Sequence, residues 1–197
     1  SWKKCNLAES NGYARQFPRN MLQFNTDHSG FVELGRMAGV SATDWSWSCL
    51  WQDYNLDGNK DLFISNGILR RPNDLDYLNY IANPLVQKGA SDLDLAAQMP
   101  SGKVPNYFYI NDGDLSFRKM QGIEKTSLST GASYADLDND GDLDLIVNNI
   151  NKPAFIYKNN ASESSKDYIK VKLEGENKNT YGIGARLTIY SNKNILS

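Results

Sequence analysis

The sequence predicts an all-β repeat protein, and three observations carry that expectation. A stretch of the chain recurs: adding 83 to each position of 39–66 gives its partner in 122–149 without a gap, so that Gly39 matches Gly122, Thr43 matches Thr126 and Asn66 matches Asn149. In each copy an acidic loop runs into a short apolar segment, Leu62-Phe63-Ile64 or Leu145-Ile146-Val147, which reads as a buried strand. Aromatic residues make up 11% of the chain, and such side chains favour sheets.

The repeat continues upstream at an offset of 86, where Leu22-Gln23-Phe24-Asn25 aligns with Phe108-Tyr109-Ile110-Asn111 and Phe31 with Phe117. Each unit, about 20–66 and 106–149, reads as strand, polar turn (26–30; 112–114), strand, Gly-apolar step, strand, acidic loop, strand. A third, degenerate start lies near 154, at Ala154-Phe155-Ile156-Tyr157-Lys158-Asn159-Asn160. Self-similarity of this kind points to a β-propeller. Two units and a fragment do not close a ring that needs at least about four blades, so either further blades lie in a larger chain or the units pack in an open arrangement.

A blade takes roughly 40 to 60 residues, and the spacing of 83 exceeds that. The surplus reads as a helical insertion over about 70–100. Asn73 is expected to cap a helix with Leu75, Leu78, Ile81 and Ala82 on one face, ended by Pro84. Ser91-Asp92-Leu93-Asp94 has the pattern of a second helix start. The insertion reads either as a cover for an edge or apolar patch, or as a specificity element over a binding face.

The acidic loops carry the chemistry. Asp53, Asn55, Asp57 and Asp61 in one, and Asp136, Asp138, Asp140 and Asp144 in the other, stand at positions 1, 3, 5 and 9, with Gly58 or Gly141 at position 6. Ca²⁺ is a hard cation that takes six to eight oxygens, and alternate residues of a tight loop supply them; position 7, Asn59 or Asp142, would add a main-chain carbonyl. An EF-hand is excluded, because position 12 is Ile64 or Val147 where that loop needs a bidentate Glu. Five carboxylates fall within 136–144 and repel one another unless a cation neutralises them. Two Ca²⁺ sites are expected, the first the weaker because Asn55 removes one formal charge.

Other residues carry less. Trp45, Trp47, Cys49 and Trp51 alternate with Ser46, Ser48 and Leu50, so one strand face is crowded with indoles. Packing between sheets accounts for that, with a stacking platform for sugar rings as the alternative at Trp45 and Trp47. Arg70 and Arg71 are suited to pairing with a carboxylate or phosphate, or to a solvated rim. Cys5 and Cys49 are compatible with a disulfide or with a buried free thiol at Cys49. The only histidine, His28, falls in a predicted turn. No nucleophile elbow, zinc spacing or phosphate loop is present, and no catalytic residue is assigned.

The 197 residues, 40% hydrophobic with a mean hydropathy of −0.55 and a net charge of −2, describe a globular protein with no electrostatic footprint for nucleic acid. No run reaches transmembrane length. The chain begins at Ser1 without a signal peptide, as expected of a mature or excised piece.

The loop pattern Asp-x-Asp/Asn-x-Asp-Gly-x-x-Asp resembles the FG-GAP/VCBS repeats of integrin-type β-propellers. The strings 20–23, 43–48 and 134–141 are similar to bacterial surface or secreted VCBS-repeat proteins, many from Bacteroidetes, that end in an ASPIC/UnbV module. Tyr168-Ile169-Lys170-Val171-Lys172-Leu173-Glu174-Gly175 resembles that module's opening strand, and Asn179-Thr180-Tyr181-Gly182-Ile183-Gly184-Ala185-Arg186 its signature, with Thr180 where the family has Arg. The resemblance implies a repeat region over 1–160, the N-terminal part of the small β module over 161–197, and an extracytoplasmic location at the cell surface, outer membrane or in secretion. It implies a calcium-binding module for adhesion or binding, with a glycan or extracellular protein as partner. The alternatives are part of a carbohydrate-active enzyme with its site near the insertion, or a structural spacer.

Overall fold

The computed structural model describes residues 9–12, 19–26, 30–123, 125–164, 168–191 and 194–196. His28, Cys5 and the Cys5–Cys49 bridge lie outside them. Two compact units divide the chain, Ser1–Lys166 and Asp167–Ser197.

The first unit opens with a hairpin of β1 (Gln23–Asn25) and β2 (Phe31–Glu33), in which Phe24 stands opposite Val32. A four-stranded antiparallel sheet follows, in the order β3-β4-β6-β7, from β3 (Ser46–Gln52), β4 (Asp61–Asn66), β6 (Tyr107–Asn111) and β7 (Phe117–Lys119). A three-stranded sheet comes next, β11-β10-β9, from β9 (Ser129–Ala135), β10 (Asp144–Asn149) and β11 (Lys152–Tyr157). The short strands β5 (Val104–Pro105) and β8 (Thr126–Ser127) pair with each other. All-β architecture is therefore what the chain adopts, in successive sheets that form no closed ring among the described residues.

All six residues of β4 are buried because both of its faces are covered. Alternate residues of a strand point to opposite sides. On one side Leu62, Ile64 and Tyr109 meet Ala38 and Val40 from the step after the first hairpin. On the other, Phe63 and Phe108 meet Leu145 and Val147 of the three-stranded sheet, with Tyr54 between. Phe63 and Val147 are fully buried, and truncating Phe63 to Ala would cost about 3–5 kcal/mol.

The sequence repeat recurs as hydrogen bonding. Leu34 N–H donates to Leu22 O at 2.8 Å, and Met120 N–H to Phe108 O at 2.8 Å, at the offset of 86. The turns close alike, Thr26 N–H to Gly30 O at 3.0 Å and Asp112 N–H to Ser116 O at 3.3 Å. Ser46 Oγ donates to Asn66 Oδ1 at 3.0 Å, and Ser129 Oγ to Asn149 Oδ1 at 2.8 Å, at the offset of 83. Yet a sequence unit is not a sheet. β6 and β7 open the second repeat but join the sheet of the first, β6 pairing with β4 with Phe63 opposite Phe108 and β7 with β6, so the sheets are displaced from the repeat by two strands.

The insertion is helical but differs in detail from its expectation. α1 (Leu75–Ile81) is capped by Asp74, whose side chain accepts from Tyr77 N–H, one residue after Asn73. Pro84 does not terminate a helix; it opens α2 (Pro84–Gly89), where its missing N–H is no loss. α3 (Asp92–Gln98) carries the capping box of Ser91 and Asp94. The expected apolar face is not buried: Leu75 is 76% exposed, and Tyr77 is the buried residue of α1. The neck is closed by Ile68 and Gly102, which exchange both backbone hydrogen bonds, and by Arg71 N–H on Pro100 O at 2.9 Å.

The indole face of β3 is also less uniform than its alternation suggests. Pairing with β4 shifts register between Ser46 and Cys49. Trp51 packs edge-on to Phe117 at 5.5 Å, whereas Trp47 is 53% exposed. Cys49 is a free thiol at the surface and not buried.

In the second unit β12 (Ile189–Ser191) and β13 (Asn194–Leu196) form a hairpin. Residues 168–175 form no strand, contrary to expectation. Ile169 is 71% exposed and finds no sheet to cover it. The signature segment instead makes a tight turn around Asn179, whose side chain accepts from Ile183 N–H at 2.8 Å and donates to Ile183 O at 3.0 Å.

Candidate metal centre

Both acidic loops are built on one scaffold. The carboxylate at position 9 is buried and braces the loop: Asp61 accepts from Tyr54 N–H at 3.1 Å and Asn111 N–H at 3.0 Å, and Asp144 from Leu137 N–H at 3.0 Å and Asn159 N–H at 2.8 Å. Asn111 and Asn159 return the contact, donating to Lys60 O at 3.0 Å and Leu143 O at 3.3 Å. Asn159 also donates to Tyr54 O at 2.6 Å, so it ties the second loop to the first. Burial pushes the Asp61 carboxyl up, opposed by the N–H bonds from Asn111 and Tyr54. The sharp bend falls on Leu56-Asp57-Gly58 and Asn139-Asp140-Gly141, where Gly58 has φ +89° and Gly141 +97°, a region glycine enters at little cost.

The loops differ in how their remaining carboxylates are used. In the first, Asp53 accepts from Asp57 N–H at 3.0 Å and Gly58 N–H at 2.8 Å, and Asn55 also accepts from Asp57 N–H at 3.0 Å. Asp57 accepts from Asn59 N–H at 2.8 Å, as Asp140 does from Asp142 N–H at 3.2 Å. In the second, carboxylate oxygens of Asp136, Asp138 and Asp140 lie within 4.8 Å of one another, the one such acidic group among the described residues. Asp142 is fully buried; Oδ2 accepts from Ser162 N–H at 2.9 Å, and Oδ1 has no hydrogen-bond partner.

Lys158, on the residue after β11, brings a cation to this cluster. Its Nζ is 2.6 Å from Asp138 Oδ2 and 4.0 Å from Asp140 Oδ2. The hydrogen bond from Lys158 holds the Asp138 carboxyl below its ordinary value, and the same contact pushes the Lys158 ammonium up. The second loop thus suits a cation: its donors are all oxygen, an ammonium stands against two of them, and the buried Oδ1 of Asp142 has no hydrogen-bond donor. A carboxylate has about four lone-pair sites, so an accepted N–H does not exhaust it, and Asp61 and Asp144 keep capacity for an ion.

The other candidate residues separate. Trp47 Nε1–H donates to Gly67 O at 2.6 Å, and Arg70 Nη1–H to Met99 O at 2.9 Å, at the neck of the insertion. Trp45 and Arg71 line one groove with Asp44, and Arg71 Nη2 is 2.8 Å from each oxygen of Asp44. Sequence reasoning assigned no role to Lys158 or Asn159. Their signal was present in the third repeat start, where Lys158-Asn159 replaces Ile110-Asn111.

Residues 89–147 match the family model of the FG-GAP-like repeat. The match takes in β5 to β9, the whole second loop and most of β10, and it supports an FG-GAP repeat protein. No curated protein and no solved structure matches the chain. No helix among the described residues is long and apolar enough to cross a membrane.

Proposed function

We propose that the chain is a calcium-binding, extracytoplasmic repeat module that serves binding or adhesion, its second unit being the start of an ASPIC/UnbV-type module. The observation that supports this reading is the gathering of Asp136, Asp138 and Asp140 within 4.8 Å, in a loop that also holds a buried Asp142 oxygen without a donor. An all-oxygen, carboxylate-rich loop favours a hard cation, and a flexible one favours Ca²⁺ over Mg²⁺, which demands near-ideal octahedral geometry. Asp136, Asp138, Asp140 and Asp144 would hold the ion in the second loop, and Asp53, Asn55, Asp57 and Asp61 in the first, with Asn59 and Asp142 at position 7. The ion's role is to neutralise like charges in a loop that joins two strands. Extracellular Ca²⁺ sites of this kind work at high ambient calcium, and FG-GAP repeats fit such a setting.

Calorimetry with Ca²⁺ on the native chain, Asp57→Ala and Asp140→Ala tests the reading. Two binding events are expected, each variant losing one, with the Asp57→Ala variant losing the weaker. No heat in the native chain, or none lost in either variant, refutes it.

A further inference from the structure

A groove of about 710 Å³ lies where the step after the first hairpin meets the neck of the helical insertion. Three arginines, Arg19, Arg36 and Arg71, line it against one carboxylate, Asp44, and the remaining lining is uncharged. Arg71 is held by Asp44, and Arg19 is held from behind by Glu33 at 2.8 Å. Arg36 is exposed and has no carboxylate partner among the described residues. On a chain with a net charge of −2, this is a local excess of positive charge. Two of its guanidiniums are already fixed in place by their carboxylates.

The second copy of the repeat serves as an internal control. The floor of the groove is common to both copies, Thr43 and Ser46 matching Thr126 and Ser129. Everything that gives the groove its character belongs to the first copy alone. Asp44 and Trp45 become Ser127 and Leu128, both buried. Arg36 lies in a turn that is three residues longer than its counterpart, because the offset falls from 86 to 83 across it. Arg71 and Asn73 belong to the insertion, which the second copy lacks. Asp44 is held at φ +86°, a costly conformation for a non-glycine residue, of the kind found at ligand clamps. A scaffold repeated without these features does not need them for folding.

We infer that this groove binds the carboxylates of an acidic, uronate-bearing oligosaccharide. The inference rests on reading the chain as a binding module. Guanidinium forks match planar carboxylates bidentately. The uncharged lining, with the Trp45 indole, the Ser41 hydroxyl and the Asn73 amide, suits sugar rings and their hydroxyls better than an acidic peptide. The volume falls in the range of ligand sites, and the open shape admits a chain that continues past the groove.

The test uses the full chain in Ca²⁺, with oligogalacturonate as the probe. A neutral glucan of equal length, a sulfated glycan and polyglutamate serve as controls. The native chain is expected to bind oligogalacturonate, more weakly as salt rises. In Arg36→Glu the dissociation constant is expected to rise at least tenfold, with melting temperature and Ca²⁺ isotherm unchanged, since the Arg36 side chain makes no hydrogen bond or ion pair among the described residues. Absent binding, equal binding by the variant, or equal or tighter binding of any control overturns the inference. The Ca²⁺ isotherm reports separately on the metal sites, so the two readings fail independently.

Discussion

Lys158 and Ile110 occupy the same place in two copies of one loop scaffold, each one residue before the asparagine that braces the loop. The exchange coincides with a second, Asp138 for Asn55, so the loop with the extra carboxylate also has its own ammonium. That ammonium competes with a metal ion. Lys158→Ile is therefore expected to raise the Ca²⁺ affinity of the second loop roughly two- to fivefold, the scale of an exposed ion pair, as read by calorimetry; unchanged affinity refutes the competition. Without Ca²⁺ the variant should be less stable, because Asp136, Asp138 and Asp140 lose their counter-charge. The Asp138 carboxyl is lowered in the folded protein. Its contribution is present above the unfolded value of about 3.9 and is lost as pH falls through the lower folded value. Lys158 is raised, so its share is complete below about pH 10.4 and lost as pH rises through the higher folded value. Urea titrations across pH 3–7 should show the variant and native curves converging at the acid end. Tyr54 offers a separate test. Its hydroxyl is buried without a hydrogen-bond partner, and its ring meets Phe108 at 5.1 Å. Tyr54→Phe should stabilise the protein by about 1 kcal/mol, by sparing an unsatisfied polar group. A loss of stability in urea would show that the hydroxyl is satisfied in solution. The metal-ligand candidates were legible from spacing alone. Lys158 was not, because its pairing arises only when β11 folds back along β10.

At the scale of elements, alternation and turn chemistry located the hairpins, the apolar strands and the capping box at Ser91. They did not show which strands share a sheet. β6 repeats β1 in sequence, yet it pairs with β4 across an insertion of three helices, and pairing across such a distance leaves no local periodicity. The apolar pattern 75–82 likewise suggested a packed helix face. The closed neck at Ile68 and Gly102 lets the helices stand clear with Leu75 in solvent. Close packing between sheets appears at Gly67, which follows β4 with φ +128°; an added Cβ would lie 2.8 Å from Leu128 Cα and 2.9 Å from Ser127 O. Those are backbone atoms at the junction of β8 and β9 and do not move aside cheaply. Gly67→Ala should destabilise by roughly 2 kcal/mol or more. Gly58→Ala, with positive φ but open space around it, should cost about 1–2 kcal/mol from conformation alone. Equal losses in chemical denaturation would mean that the two sheets separate freely at this point.

For the whole molecule, each loop joins an edge strand of its sheet to an interior one, β3 to β4 and β9 to β10, so filling the loops should stabilise the first compact unit globally. A hundredfold excess of Ca²⁺ over its dissociation constant adds about 2.7 kcal/mol per site, or roughly 5–10 °C in Tm for a chain of this size. EDTA should reverse the shift in a thermal scan, and an unchanged Tm would remove calcium from the account. The all-β class was legible because repeat, loop and strand signals agreed; the extent of the full assembly was not, because nothing in a repeat counts its own copies. The two-strand displacement between repeat and sheet has a mechanical meaning. Every seam between adjacent sheets is stitched by polypeptide from the interior of a single period. Deleting one whole period would therefore halve two sheets instead of removing one, and prising neighbours apart must strain the main chain itself.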